Sequence, residues 1–236
     1  MSANPEIPQN PELIAPPAPA TALPQAENSG RTNDWNPADF AREQIRNLVR
    51  QVFFGDAARP VKQVVFSAVE PGAEIARICD QVGLALASET QAHVAIVGRD
   101  PRVAAIARPR PHYVGFSPIK SLSAQVKTNL WRVQEFRLSE LGEESGTGRY
   151  WLSYLAQLRN EFEYTVIQGP VAGMSSEAVL LAQLSDGIIL VLGAHNTRRA
   201  TARKIKETLE STPCRILGTV LSDRTFPMPE RIYRRL

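Results

Sequence analysis

Short apolar segments alternate with amphipathic helical segments along this chain, and the alternation limits its fold more than any other feature. The segments 61–68, 164–168 and 187–192 are rich in valine and isoleucine and are apolar on both faces. The segments that separate the strands repeat apolar side chains at helical spacing. Strands that are apolar on both faces are typical of a parallel sheet covered by helices on both sides. The sequence therefore predicts a three-layer α/β/α domain with a mostly parallel sheet.

The predicted elements run from residue 37 to residue 221. A first helix begins at Pro37, which suits a first helical position, and ends before Gly55. The predicted strands are 61–68, 92–97, 164–168, 187–192 and 215–221, and the later helices are 75–88, 151–162, 176–185 and 197–211. The region 101–148 gives no clear pattern, because prolines interrupt it and a glycine-containing segment ends it.

Residues 1–34 differ from the rest in composition. They contain seven prolines and few large apolar side chains. Such a segment buries too little apolar surface to offset the entropy of ordering it. We expect a disordered, proline-rich tail at 1–34, followed by one folded domain at 35–236.

Several classes of protein are excluded. The longest segment without charged or strongly polar residues, 187–194, is far shorter than the roughly 20 residues of a membrane-spanning helix. The first residues lack the basic and apolar regions of a secretory signal. Cys79 and Cys214 belong to no metal-ligand or disulfide pattern, so we expect no metal site. We expect a cytoplasmic protein.

The net charge of +3 is small but unevenly distributed. Residues 198–236 carry ten basic side chains against four acidic ones. Basic surfaces are typical of proteins that bind nucleic acid, anionic lipid or acidic partners. This segment lacks the interleaved aromatic residues that favour single-strand binding. We expect mainly a solvated helix face, and we do not expect nucleic acid as a partner.

The first strand–turn–helix, 67–83, reads SAVEPGAEIARICDQVG. This is where P-loop proteins hold a phosphate, with backbone N–H groups, a lysine and a magnesium-binding hydroxyl. The segment resembles the Ser-x-x-Pro-Gly-Glu-Gly-Lys-(Ser/Thr) loop of the bacterial capsule and exopolysaccharide tyrosine kinases, which belong to the Min/Par class of P-loop ATPases. Pro71 and Gly72 of this motif are kept in the chain, and Ser67 precedes them at the start of the matched segment.

Three further segments resemble the same family. Residues 93–102 (HVAIVGRDPR) match its second strand, and 162–199 match its Asp-Tyr-apolar-Asp-x-Pro-Pro strand with the following helix, strand and helix. Residues 218–236 match its last strand and tail. The resemblance implies a P-loop-NTPase-like domain, ATP and Mg²⁺ as cofactors, and a role in the synthesis and export of polysaccharide.

The residues that carry the family's chemistry are replaced in this chain. Glu74 stands in place of glycine, Ile75 in place of the phosphate-binding lysine, Ala76 in place of the magnesium-binding Ser/Thr, Gly98 in place of the first aspartate of the second strand, and Gln168 in place of the aspartate of the third. Asp100 keeps the second aspartate of its strand. A lysine about 4 Å from a phosphate contributes on the order of 4 kcal/mol at an effective dielectric constant near 20. We expect no catalytic residues and no cofactor.

Other candidate residues follow from the resemblance or from the charge pattern. A Glu-x-x-Arg-x-x-Arg helix builds ring-shaped oligomers in the family, and this chain has Glu43, Arg46 and Arg50, the last one residue late. Ordinary surface pairing explains the same three residues. The resemblance implies a cluster of tyrosines near the end of the chain that accepts phosphate, and this chain has one candidate acceptor there, Tyr233. Arginines that would contact an anion at the degenerate loop are Arg77, Arg99 and Arg102.

Three functions follow in order of preference. The first is a pseudoenzyme that acts as a scaffold or regulator in exopolysaccharide or capsule biosynthesis and export. The resemblance implies a membrane-embedded chain-length or export adaptor as its partner, attachment at the inner face of the membrane through that partner, and self-association or pairing with an active paralogue. The alternatives are an active tyrosine kinase or ATPase with a non-standard site, and a partition-type DNA-binding protein.

Overall fold

The computed structural model describes residues 37–99, 119–134 and 147–223, except for the side chains of 37, 121, 122 and 147–150. The predicted tail at 1–34 lies outside these ranges, and so do Asp100, Arg102 and Tyr233.

The described helices and strands follow the predicted alternation. The helices are α1 (Pro37–Phe53), α2 (Ile75–Glu89), α3 (Thr147–Glu161), α4 (Ser176–Leu184) and α5 (Arg199–Glu210). The strands are β1 (Gln63–Ala68), β2 (Val94–Gly98), β3 (Ser123–Lys127), β4 (Leu130–Gln134), β5 (Tyr164–Gln168), β6 (Gly187–Gly193) and β7 (Ile216–Ser222). A 3₁₀ helix at Ile119–Leu122 precedes β3.

These strands form one sheet in the order β3-β4-β2-β5-β1-β6-β7. Only the β3–β4 pair is antiparallel among the described strands. β1 lies inside the sheet, between β5 and β6, and its residue Val64 is opposite Val166 of β5 and Gly187 of β6. The predicted mostly parallel α/β fold is therefore confirmed.

The sheet has a hydrophobic core on each face. α1 and α2 cover one face, where Val49, Val82 and Leu86 pack against the β1 side chain of Phe66. α3, α4 and α5 cover the other face, where Val65 of β1 belongs to the same buried cluster as Trp151, Leu158, Leu181 and Leu209. The side chains of β1 alternate between the two cores because successive residues of a strand point to opposite faces.

The region 101–148, which gave no clear sequence pattern, contains the β3–β4 hairpin at one edge of the sheet. β3 is largely exposed, so its sequence lacks the apolar signal of a central strand. The hairpin is tied to the domain by Asn129, whose side-chain amide donates to the carbonyls of Ala87, Thr90 and Ala92 at 2.8–3.2 Å. Asn129 thereby links the turn to the end of α2.

Asp186 links three parts of the chain at the amino-terminal edge of the sheet. Its Oδ2 accepts from the backbone N–H groups of Lys62 and Gln63 at 2.7 Å, and its Oδ1 pairs with Arg159 of α3 at 2.6 Å. The carboxylate therefore joins β1, α3 and the turn before β6 at one point.

We expect Asn129→Ala to lower the free energy of unfolding by about 1–2 kcal/mol, because it leaves three carbonyl groups without their donor. Urea denaturation with fluorescence detection measures this change. Gln125→Ala is the matched control in the same hairpin, since Gln125 donates only to Thr128 at an exposed position, and its effect should stay within about 0.5 kcal/mol. Equal effects of the two variants would contradict the linking role of Asn129.

The two cysteines should differ sharply in reactivity. Cys79 is fully buried, and burial, with a smaller contribution from Asp80, raises the pKa of its thiol far above the ordinary value of 9.0. Cys214 is only partly buried. Alkylation of the native protein, followed by mass spectrometry, should modify Cys214 and leave Cys79 intact until the chain unfolds. Modification of Cys79 in the native state at a comparable rate would contradict this packing.

The same pKa difference predicts alkaline destabilisation. Above about pH 9 the thiol ionises in the unfolded chain but stays protonated in the folded one, so the free energy of unfolding falls as pH rises. Cys79→Ala should remove this contribution to the slope, and Cys214→Ala should leave it unchanged.

Candidate functional site

The candidate site lies where the carboxyl ends of β1, β2, β5 and β6 meet, because the carboxyl ends of parallel strands share one edge of a sheet. Backbone hydrogen bonds hold the loop after β1 in place. Val69 N–H donates to the carbonyl of Val191 in β6 at 3.0 Å, and Ala172 N–H donates to the carbonyl of Ala68 at 2.8 Å. The hydroxyl of buried Ser67 donates to the carbonyl of Pro170. Ser67 thus ties β1 to the loop after β5.

Gly72 gives the loop its tight turn. Its φ of +103° lies in the left-handed region, which side chains disfavour. A Cβ at this position would lie 3.7 Å from Nδ2 of Asn196, so the loop after β6 approaches the turn closely. Gly72 therefore keeps the conformational role of a P-loop glycine although the residues that follow it differ.

The described residues at the start of α2 present no unpaired basic side chain to the turn at Gly72. Glu74 precedes the helix, and its carboxylate pairs with Arg77 at 2.8 Å. Ile75 is 7% exposed and packs in the core beneath α1 and α2, whereas Ala76 is exposed. The predicted anion contact Arg77 is thus already paired with a carboxylate, and Ile75, which the sequence resemblance matched to the family's lysine, is part of the hydrophobic core.

A second carboxylate lies in the same loop. Glu70 Oε2 accepts a hydrogen bond from the backbone N–H of Arg198, at the start of α5, at 3.1 Å. Sequence reasoning missed this residue, because nothing in the loop indicates a partner 128 positions away. Glu70 and Glu74 together place two negative charges where a phosphate-binding loop attracts an anion.

At the ends of β2 and β5, Gly98 and Gln168 are neighbours. A Cβ at Gly98 would lie 2.5 Å from Oε1 and 3.2 Å from Cβ of Gln168. The glutamine side chain therefore lies over the glycine backbone, in the space that a larger residue at 98 would need. The residues at 98 and 168 therefore fit each other sterically.

The other predicted site residues fall in separate places. Arg99 follows β2 and is exposed, while Asp100, Arg102 and Tyr233 lie outside the described residues. No group of three or more His, Cys, Asp or Glu side chains in the described ranges is placed to hold a metal ion. Of the predicted residues, the structure brings Ser67, Pro71, Gly72, Glu74, Ile75, Ala76, Gly98 and Gln168 to one edge of the sheet.

In α1, the helix that was a candidate for oligomer formation, the charged residues of the matched pattern form ion pairs within the chain. Glu43 and Arg46 form an exposed pair at 3.4 Å, and Arg50 reaches Glu89 of α2 at 3.3 Å. Val49, at the third position of the family's pattern, is completely buried in the core. Self-association through this helix stays a prediction.

A cluster of aromatic residues lies at the opposite edge, near the start of β2 and β5. Lys120 Nζ lies 5.1 Å from the ring centre of Trp131, 5.5 Å from that of Phe162, and 3.1 Å from Nδ1 of His93. Glu161 accepts hydrogen bonds from the backbone N–H groups of Ile119 and Lys120. These contacts hold the 3₁₀ helix against α3, which makes this cluster structural.

Tyr164 belongs to a neighbouring group of rings, with Phe53 at 5.7 Å and Phe54 at 6.0 Å between ring centres. Burial, with a smaller contribution from the charge of Glu163, raises the pKa of Tyr164 above its ordinary value. Its hydroxyl therefore stays protonated at neutral pH, at the edge of the sheet remote from the candidate site.

Comparison with known proteins gives related sequences and related folds. The chain is 32% identical over 73 residues to the tyrosine-protein kinase CpsD of Streptococcus agalactiae serotype III, and the match spans 31% of this chain and 32% of CpsD. No protein-family model matches the chain. The resemblance to the capsule and exopolysaccharide tyrosine kinases is confirmed.

Solved structures of these kinases share the fold. The chimerical protein CapA2B2 superimposes with a TM-score of 0.61 at 21% identity, over 76% of this chain and 83% of its own. The VpsO kinase domain has a TM-score of 0.61 at 19% identity, over 80% and 98%. The cell-division protein MinD of Aquifex aeolicus has a TM-score of 0.52 at 16% identity, over 68% and 69%. The kinase family and the Min/Par class thus share the architecture of this chain.

The contact between Gly98 and Gln168 predicts coupling between the two positions. Gly98→Ala should lower the free energy of unfolding by no more than about 1 kcal/mol, because the nearest atom to the new Cβ is the flexible end of the Gln168 side chain, which has to change its rotamer. In a Gln168→Ala background the same substitution should cost clearly less. A double-mutant cycle from chemical denaturation measures the coupling, and additive effects would contradict the packing of Gln168 over Gly98.

Proposed function

We propose that this chain is a non-catalytic relative of the capsule and exopolysaccharide tyrosine kinases and acts by binding, as a scaffold or regulator of polysaccharide synthesis and export. The observation that carries the proposal is the burial of Ile75 in the core, at the position where the family has its phosphate-binding lysine. A nucleotide at Gly72 would find no ammonium group at this position.

The charges around the turn support the same conclusion. A positive charge about 4 Å from a phosphate contributes on the order of 4 kcal/mol at an effective dielectric constant near 20. This chain lacks that contribution, and Glu70 adds repulsion at the same edge. Arg77 offers little in compensation, because it already pairs with Glu74.

The absence of the family's metal ligands also supports the proposed non-catalytic role. Magnesium prefers carboxylate, hydroxyl and phosphate oxygens in octahedral geometry. Ala76, Gly98 and Gln168 provide neither the hydroxyl nor the two carboxylates that the family places there. Phosphoryl transfer needs the metal to neutralise charge that develops on the transferred group, so the proposed role excludes catalysis and needs no cofactor.

The proposed partner is a membrane-embedded chain-length or export adaptor, which would hold the chain at the inner face of the membrane. Among the described residues, no helix is both long and apolar enough to cross a membrane. A second copy or an active paralogue would assemble beside it through α1. These assignments rest on the likeness to the kinase family.

Calorimetry with ATP and Mg²⁺ tests the absence of nucleotide binding. We expect no binding heat at millimolar ATP. The matched variant restores the family's residues through Glu74→Gly, Ile75→Lys, Ala76→Thr, Gly98→Asp and Gln168→Asp, and it should gain measurable affinity if it folds, as judged by circular dichroism. An active kinase of the family, titrated in parallel, shows that the assay detects binding. Micromolar affinity in the unaltered chain would refute the pseudoenzyme assignment.

A cellular experiment tests the pathway. Deletion of the gene should change the amount or length of surface polysaccharide, and the unaltered gene and a Tyr233→Phe variant should restore it equally. Normal polysaccharide in the deletion strain would exclude the role in synthesis and export. Failure of Tyr233→Phe alone, with normal protein levels, would instead favour phosphorylation as part of the function.

A further inference from the structure

We propose that the start of α5, together with the neighbouring loop after β5, docks directly on a membrane surface that contains anionic lipid. This inference goes beyond the proposed function, because it gives the chain a lipid contact of its own that needs no adaptor. Three observations support it: a group of basic side chains at the start of α5, a helix whose charges oppose its dipole, and an exposed methionine beside them.

The basic side chains are concentrated in one segment. Residues 198–206, the basic segment, carry five basic side chains and no acidic one. Arg199, Arg203 and Lys206 are spaced i, i+4 and i+7, so they lie along one side of α5. Lys206 pairs with Glu210 at 3.3 Å, but the exposed Arg199 and Arg203 form no ion pair with a described residue. This side of α5 therefore presents positive charge to solvent.

The charges of α5 are arranged opposite to those that stabilise a helix. A helix dipole attracts negative charge at its N-terminus and positive charge at its C-terminus. Arg199 begins α5 and Glu210 ends it, with no acidic residue in the first turn and no basic residue in the last. Glu70 supplies one carboxylate near the start, but it accepts from the backbone N–H of Arg198. Helix stability does not account for this arrangement, whereas binding does, because functional surfaces commonly break such local rules.

An exposed apolar side chain lies beside the basic segment. Met174, in the loop between β5 and α4, is 75% exposed. The loop is held in place, because the N–H groups of Met174 and Ser175 both donate to the carbonyl of Val171 at 3.0 Å. Its residue Gly173 approaches α5, since a Cβ there would lie 3.1 Å from Cδ1 of Ile205. The loop therefore holds Met174 close to the basic segment.

Basic and apolar side chains together favour lipid over nucleic acid. The phosphate groups of a nucleic acid backbone would satisfy the arginines but would offer Met174 no apolar contact. At a bilayer surface, basic side chains are attracted to anionic head groups, and an adjacent apolar side chain enters the boundary of the acyl chains. A weak lipid contact also adds to binding by the adaptor, because two linked binding events raise the overall affinity.

Cosedimentation of the full chain with phosphatidylcholine vesicles, with and without phosphatidylglycerol, tests the inference in the absence of any adaptor. We expect binding only to the anionic vesicles, and weaker binding at high salt, because ions screen the attraction. Arg199→Gln combined with Arg203→Gln should weaken binding by roughly tenfold. The matched control is Arg42→Gln combined with Arg46→Gln, which removes two exposed arginines that are paired with carboxylates within α1.

Further variants test the apolar contact and the sign of the charge effect. Met174→Ser should weaken binding severalfold, whereas Val126→Ser, at an exposed position of the edge strand β3, should leave it unchanged. Glu207→Gln removes an exposed negative charge from α5 and should strengthen binding. Circular dichroism checks that each variant is folded.

Each outcome decides for or against the membrane contact. Binding to anionic vesicles that falls in the α5 and Met174 variants but not in their controls supports it. Absence of vesicle binding, or equal effects of the α5 and α1 arginine variants, overturns it and leaves the non-catalytic role intact, because that role depends on nucleotide binding. Binding to a DNA duplex in place of vesicles, with the same dependence on Arg199 and Arg203, also overturns it and favours nucleic acid as the partner.

Discussion

The position of β1 between β5 and β6, inside a mostly parallel sheet, is the constraint on which the rest of the molecule depends. All six of its residues are buried, and its backbone pairs with β5 on one side and β6 on the other. This pairing brings the loops after β1, β5 and β6 together at one edge. A shift of one residue in the register would exchange the side chains of the two cores, so burial of both faces strongly specifies the arrangement.

At that edge, contacts within the chain hold the loops and side chains in place. The turn at Gly72 is left-handed, and backbone hydrogen bonds fix the loop that contains it. Arg77 pairs with Glu74, the N–H of Arg198 before α5 donates to Glu70, and Gln168 fills the space over Gly98. The edge therefore keeps its shape through contacts between its own residues.

The sequence predicted the central elements well because their signal is local. The segment 164–168 is β5 with the predicted bounds, and 75–88 differs from α2 by one residue. The hairpin of β3 and β4 was missed because its edge strand, β3, is largely exposed, and because the turn at Thr128 and Asn129 contains no glycine. At the site, the burial of Ile75 agrees with its apolar character, whereas the Glu70–Arg198 contact could not be predicted, because it depends on the pairing of β1 with β6.

The fit between Gly98 and Gln168 also bears on how such a site changes over generations. A carboxylate introduced first at 98 collides with the glutamine, and one introduced first at 168 faces a bare glycine backbone across the strand pair. A larger residue at 98 therefore requires the Gln168 side chain to move, and substitutions at the two positions are expected to accompany each other in relatives of this chain.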